Sequence, residues 1–278
     1  MKHIYVNLKR FDVPKELGGV NSLAPMGDWA KSIVEGIDEH LENYRNDEIE
    51  FSFYLPEAHL LGAVAAKKED SLFGIGSQGV YRGDTSVGGN FGAFTTNLTA
   101  NAAKSMGCTS TIIGHCEERR AYAEVLSRVG SYDTNIVNEL LNESVKCAQA
   151  AGLKVLYCIG EKAEEQEQWQ EVLRAQLESG LAGADMSEIV IAYEPVWAIG
   201  PGKTPPGKAY ITKIARFIKE VTDGADVVYG GGLKEDNAPM LASIDEIDGG
   251  LIALTKFSGD IGFYPEGYLK IVETYIGR

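Results

Sequence analysis

Ala192-Tyr193-Glu194-Pro195-Val196-Trp197-Ala198-Ile199-Gly200 follows Glu188-Ile189-Val190-Ile191, a short β-branched run, and reads in order as strand, carboxylate and loop. A glutamate at the exit of a buried strand, followed by a proline that fixes its own φ, sits on rigid backbone. Trp197 and the glycines beyond it can form a cover over whatever the carboxylate touches, the layout of a positioned general base under a lid. The plainer reading of an isolated Glu-Pro is a strand-end carboxylate facing solvent.

Outward from this point the same rhythm repeats in both directions. Apolar β-branched runs predict strands near 3–8, 50–55, 72–78, 110–114, 154–159, 188–193, 226–230 and 250–255. Between them, amphipathic spacing predicts helices near 28–44, 57–67, 99–106, 134–151, 161–179, 208–222, 237–242 and 265–275, several opened by Asp, Thr, Asn or Pro. Strict alternation implies a parallel sheet with helices outside, and eight such units allow the sheet to close on itself. The expected fold is therefore α/β, a single-domain (β/α)8 barrel over residues 1–278, with no composition shift to mark a second domain. The connection 79–90, rich in glycine, is long for such a unit and reads as a functional loop.

Composition narrows the partners. The 40 acidic and 26 basic side chains give a net charge of −14, which argues against nucleic acid or an anionic membrane surface. An acidic protein that binds an anionic small molecule must concentrate positive potential locally. No apolar stretch approaches the length of a membrane span, and residues 1–6 run straight into a strand pattern, so a cytoplasmic location is expected. Cys108, Cys116, Cys147 and Cys158 contain no Cys-x-x-Cys pair, which predicts reduced thiols and neither a metal site nor a disulfide framework.

In a closed parallel barrel chemistry gathers where the strands end. The first strand is followed by Asn7-Leu8-Lys9, the fourth by Gly114-His115-Cys116-Glu117-Glu118-Arg119-Arg120, and the sixth by Glu194. Lys9, His115 and Glu194 thus fall on one rim and form a set able to move a proton next to a carbonyl. The carboxylate removes it from carbon, the histidine serves the developing enediolate oxygen, and the lysine stabilises negative charge. Taken singly, Lys9 reads as a solvated strand-end lysine and His115 as a satisfied rim histidine; their shared position changes the weighting. His3, His40 and His59 read as structural, and Arg119 and Arg120 as braces for the fourth strand's loop.

These motifs, in this order, resemble the triosephosphate isomerase family. Asn7-Leu8-Lys9, Gly76-Ser77-Gln78, Gly92-Ala93-Phe94-Thr95, Gly114-His115-Cys116-Glu117 (Gly-His-Ser-Glu in the family), Cys158-Ile159-Gly160-Glu161, Glu194 through Gly202 and Tyr229-Gly230-Gly231 carry the resemblance along most of the chain. It implies a TIM barrel that interconverts two triose phosphates without cofactor or metal. Glu194 would be the base, His115 a neutral electrophile, and Lys9 with Asn7 the substrate anchors. It also implies a homodimer in which the loop bearing Phe94 and Thr95 reaches toward the partner's site.

The departures bear on specificity. Glu117-Glu118 stands where the family has a single glutamate, leaving open which carboxylate supports the electrophile. The lid reads Gly200-Pro201-Gly202-Lys203-Thr204-Pro205-Pro206, stiffened by prolines. At the phosphate end Gly200 is kept, but Gly232 replaces a serine and Ala253-Leu254 replaces a glycine pair. Gly200, Gly232 and the backbone of Leu254 are the expected phosphate contacts. Lys256 or Lys234 would supply charge there, Lys256 reading equally as a solvated loop lysine. Isomerisation of a larger phosphorylated ketose is the alternative activity, and a non-catalytic binding barrel the alternative class.

Overall fold

The computed structural model describes residues 1–128, 130, 133–200 and 202–278; of Thr134 only the backbone is described. Eight strands, β1 (Lys2–Asn7), β2 (Ile49–Leu55), β3 (Phe73–Ser77), β4 (Ser110–Ile113), β5 (Lys154–Ile159), β6 (Ile189–Tyr193), β7 (Val227–Tyr229) and β8 (Gly249–Ile252), form a closed barrel in sequential order. Every neighbouring pair is parallel, and β1 closes on β8 through the pairs His3↔Gly249 to Val6↔Ile252. The expected (β/α)8 fold is the one observed.

Around the sheet run α1 (Trp29–Leu41), α2 (Glu57–Ala66), α3 (Ala100–Ser105), α4 (Cys116–Ser127), α5 (Thr134–Ala150), α6 (Trp169–Gly180), α7 (Lys208–Val221), α8 (Ala238–Ala242) and α9 (Pro265–Ile276). Alternation along each strand divides the apolar side chains between two cores. Ile4 and Val6 of β1 and Phe51 and Phe53 of β2 point outward, into the layer filled by Trp29, Ile33 and Ile37 of α1 and Tyr268 and Ile271 of α9. Tyr5, Tyr54, Ile112, Leu156, Ala192, Val228 and Leu251 fill the barrel interior. The site at the rim is therefore floored by a packed core.

Three differences from the expected elements have physical reasons. Helix α4 is absent from the apolar pattern because it buries none of its residues. Its sequence offers no stripe to read, and its start is set instead by the His115 side chain at the cap and by Glu117 and Glu118 in the first turn. The helix expected from 161 begins only at Trp169, after a 3-10 segment Ala163–Gln168, and Glu161 is wholly buried instead of helical. The eighth strand ends at Ile252 rather than near 255, because Lys256 pairs antiparallel with Gly262 and turns the chain out of the sheet. No helix among the described residues is long and apolar enough to cross a membrane.

Candidate active site

Leu8 is fully buried and anchors the end of β1, so Lys9 leaves the sheet on a short tether. Its φ of 42° lies in the left-handed region that a lysine seldom occupies. Local hydrogen bonds hold it there: Lys9 N donates to Asn7 Oδ1 at 3.1 Å, and Gln78 Nε2 lies 3.0 Å from Lys9 O, 3.3 Å from Asn7 Oδ1 and 3.2 Å from Tyr54 O. Asn7 thus shapes the turn that presents Lys9. The Lys9 ammonium donates to Glu117 Oε1 at 3.0 Å, across from the start of α4. Burial favours the neutral Glu117 carboxyl, but the neighbouring Lys9 outweighs it and holds the group below the ordinary carboxylate value.

His115 caps α4. Its Nδ1 accepts from Glu117 N at 3.2 Å, which assigns the ring proton to Nε2, and Nε2 lies 3.1 Å from Glu194 Oε1. Glu194 is 1% exposed. Its second oxygen accepts from Cys116 N at 2.9 Å, and its own backbone N–H is tied to Ile159 O at 2.8 Å. Burial pushes its carboxyl above the ordinary value, opposed by His115, by the Cys116 N–H and by Lys9. The three groups expected at one rim are thereby linked in one chain of contacts, Lys9 to Glu117 to His115 to Glu194.

The doubled glutamate divides two tasks. Glu117 faces Lys9, whereas Glu118 turns back so that its Oε2 accepts from Gly114 N at 2.7 Å and closes the turn leaving β4. Arg119 braces the same turn, donating to Gly114 O, Asn138 Oδ1, Tyr157 OH and Cys158 O at 2.8–3.0 Å. Arg120 does not share that role: it is exposed and lies 3.8 Å from Glu124 along the helix.

In sequence Glu161 reads only as part of the fifth strand's exit; the fold gives it a larger part. Tyr193 OH, Trp197 Nε1 and Tyr210 OH all donate to its Oε1, at 2.9, 2.7 and 3.0 Å, while Oε2 is buried with no partner among the described residues. One carboxylate oxygen so gathers β6, the first turn of the lid and α7. A glutamate expected on a helix surface yet preceded by Gly160 was the available signal. A Cβ at 160 would lie 1.8 Å from Glu194 O, so β5 and β6 approach too closely there for any other residue.

Beyond Trp197 the lid passes through Gly200 and Gly202 at φ of 118° and 74°; Pro201 lies outside the described residues. Gly232 has φ of 98°, and the next turn is fixed by Asn237, whose side chain bonds Gly232 O and Lys234 N at 2.9 and 2.8 Å. Gly200, Gly232, Leu254 and Lys256 follow β6, β7 and β8 on the same rim, but no hydrogen bond among the described residues joins them to Lys9, His115 or Glu194. The ammonium of Lys234 lies 4.2 Å from the Phe257 ring centroid and that of Lys256 lies 5.7 Å from the Tyr264 centroid. Neither forms an ion pair among the described residues. His115, Cys116 and Glu194 also meet closely enough to share one metal ion.

Comparison with known proteins gives the same assignment as this geometry. The triosephosphate isomerase family model matches residues 27–272. The chain belongs to the triosephosphate isomerase family. The triosephosphate isomerase of Parasynechococcus marenigrum is 33% identical over 220 residues, covering 78% of this chain and 80% of that protein. That of Geobacter metallireducens is 38% identical over 182 residues, covering 61% and 68%. A crystal structure of triosephosphate isomerase from Bartonella henselae superimposes with a TM-score of 0.70 at 26% identity, over 99% of each chain. As a member of the triosephosphate isomerase family the chain is an aldose–ketose isomerase.

Proposed function

We propose that the chain interconverts glyceraldehyde 3-phosphate and dihydroxyacetone phosphate, with Glu194 as base, His115 as electrophile and Lys9 as electrostatic anchor. The observation that carries this reading is the buried Glu194 carboxylate facing a histidine whose proton sits on Nε2, 3.1 Å away. One Glu194 oxygen is held by Cys116 N and the other lies beside His115 Nε2, so reaching a substrate carbon requires release from Cys116 N. The carboxylate then takes the proton from the carbon next to the carbonyl. The C–H electron pair forms the enediolate double bond, and the negative oxygen accepts from His115 Nε2–H with Lys9 nearby. Returning the proton to the neighbouring carbon completes the isomerisation. A coupled assay across three-, four- and five-carbon sugar phosphates tests the reading, with the highest kcat/KM expected for the trioses. Faster turnover of a longer sugar would favour the larger-ketose alternative, which Ala253 and Leu254 at the phosphate end keep open.

For the phosphate the backbone N–H groups of Gly200, Gly232 and Leu254 are the proposed cradle. None of the three has an intramolecular acceptor among the described residues, and at Gly200 and Gly232 a positive φ turns the backbone in a way a side chain would oppose. Lys256 or Lys234 adds charge to a molecule of net charge −14. Lys256→Ala or Lys234→Ala is expected to raise KM severalfold with kcat unchanged, less so at high salt, since a remote charge contributes uniform, screened binding. Unchanged KM in both variants would leave the backbone as the whole grip.

We further propose a cytoplasmic homodimer formed through the loop around Phe94 and Thr95. Phe91 is 96% exposed beside exposed Thr95, and Phe94 packs edge-on against Tyr81 with ring centroids 5.8 Å apart. The loop so presents an apolar tip on a braced stem, the pattern expected of a buried contact. Sedimentation is expected to give a dimer, and Phe91→Asp to shift it toward monomer; a fully active monomer at assay concentration would remove the proposal.

A further inference from the structure

The exits of β4 and β6 place an imidazole, a thiol and a carboxylate in one cluster, with a ligand atom of each of His115, Cys116 and Glu194 within 4.8 Å of the other two. We propose that this cluster binds one thiophilic divalent cation of the Zn2+ class and that the bound ion inhibits the isomerase by occupying its base and electrophile. The inhibitory half rests on the proton-transfer roles given above; the binding half does not.

The donor set is the type that borderline-soft cations select, one nitrogen, one sulfur and one oxygen. Tetrahedral bonds of about 2.0–2.3 Å set donor atoms roughly 3.3–3.8 Å apart. One ligand atom of each residue lies within 4.8 Å of the other two, and His115 Nε2 is 3.1 Å from Glu194 Oε1, so small side-chain shifts bring the donors to that spacing. The backbone beneath is fixed: Cys116 opens α4, His115 caps it, and Glu194 N is bonded across to β5. Three protein donors leave a fourth position for water. On binding, the Cys116 thiol gives its proton to solvent, the Glu194 carboxyl binds as its anion, and His115 contributes one ring lone pair, Nδ1 by giving up its bond from Glu117 N or Nε2 by passing its proton to Nδ1; nothing is oxidised or reduced. The thiol is what makes the cluster soft, because the serine hydroxyl that the sequence motif otherwise carries at this place is a poor zinc ligand.

Binding is read directly by titrating the full-length protein with Co2+ and recording the thiolate-to-cobalt charge-transfer absorption. One equivalent per chain is expected. Cys116→Ser is expected to lose the band and to weaken Zn2+ binding, measured calorimetrically, by more than the roughly 10–100-fold typical of losing an outer-shell partner. Cys147→Ser, which removes a partly exposed thiol on α5, is expected to keep both. In the assay Zn2+ should inhibit competitively with triose phosphate, and EDTA should restore activity. A band that survives Cys116→Ser, or that disappears in Cys147→Ser, would overturn the site. Stoichiometric binding at Cys116 with undiminished turnover would overturn the inhibition. A failure of the proton-transfer reading registers separately, in the metal-free kinetics of Glu194→Gln.

Discussion

Glu194→Asp is expected to turn over triose phosphate about a hundredfold more slowly than the parent chain, because one methylene withdraws the carboxylate by about an ångström from a geometry that supplies much of the rate. Glu194→Gln keeps the length but cannot take a proton, and should lose roughly 10²–10⁴-fold. In both, kcat should fall much more than KM changes, as for an interaction made in the transition state. Parent-like turnover in both would remove Glu194 as the base. The pH profile carries a second reading. Burial, the dominant cause, holds the Glu194 carboxyl above the ordinary glutamate value against the pull of His115, Cys116 N and Lys9. A protonated Glu194 cannot act, so the acid limb of kcat/KM should lie above the ordinary value of about 4.3. A raised folded-state value also means that the folded chain binds this proton more tightly than the unfolded one. The group's contribution to stability is accordingly most favourable at low pH and declines as pH rises through that raised value.

Glu161→Ala is expected to be the most destabilising single change near the site. It strands three donors, Tyr193 OH, Trp197 Nε1 and Tyr210 OH, that all point at one oxygen. An unsatisfied buried donor costs about 1–3 kcal/mol; Tyr193 is buried, while the half-buried Trp197 and Tyr210 lose less, for a net loss of about 3–5 kcal/mol. For a chain of this size that lowers Tm by roughly 6–20 °C, read by calorimetry or by the midpoint of urea unfolding. Glu161→Gln retains an acceptor and should lose much less. Because Trp197 belongs to the lid's first turn, the alanine variant should also lose kcat in conditions where it remains folded. A Glu161→Ala chain with the parent midpoint would mean that the three donors find water instead.

The barrel was legible because its strands are buried on both faces, so their apolar runs stand out against polar connections. The meeting of Lys9, His115 and Glu194 was legible for a related reason: residues at strand ends share a rim whatever their separation along the chain. Helix α4 was not, since a helix with no wholly buried residue, touching the core only through Tyr122 and Leu126, has too thin a stripe to announce it. Glu161 was not either, because its meaning lies in three partners at positions 193, 197 and 210 that converge only once the barrel closes. The same holds for Cys116, next to His115. Spacing rules find ligands that are neighbours in sequence, whereas Cys116 and Glu194 meet across two strand exits. Where the chain departs from its family pattern, at Glu117-Glu118, the sequence posed the question, and only the directions of the two side chains divided them between Lys9 and Gly114.

The seam between β1 and β8, which joins His3 to Gly249, also sets when function can arise during folding. Lys9 is carried on the first strand and is aligned with the rest only when the barrel is complete, so its position waits on the pairing of nearly the two ends of the chain. Contacts so distant in sequence incur the greatest loop-closure entropy and form late. Partly folded chains in which β1 is still free would therefore hold Glu194 beside His115, the proposed base and electrophile, without the Lys9 ammonium. Recovery of activity after dilution from denaturant should follow the slowest structural phase rather than the appearance of helix, and newly made chains become isomerases only after their last strand has joined the first.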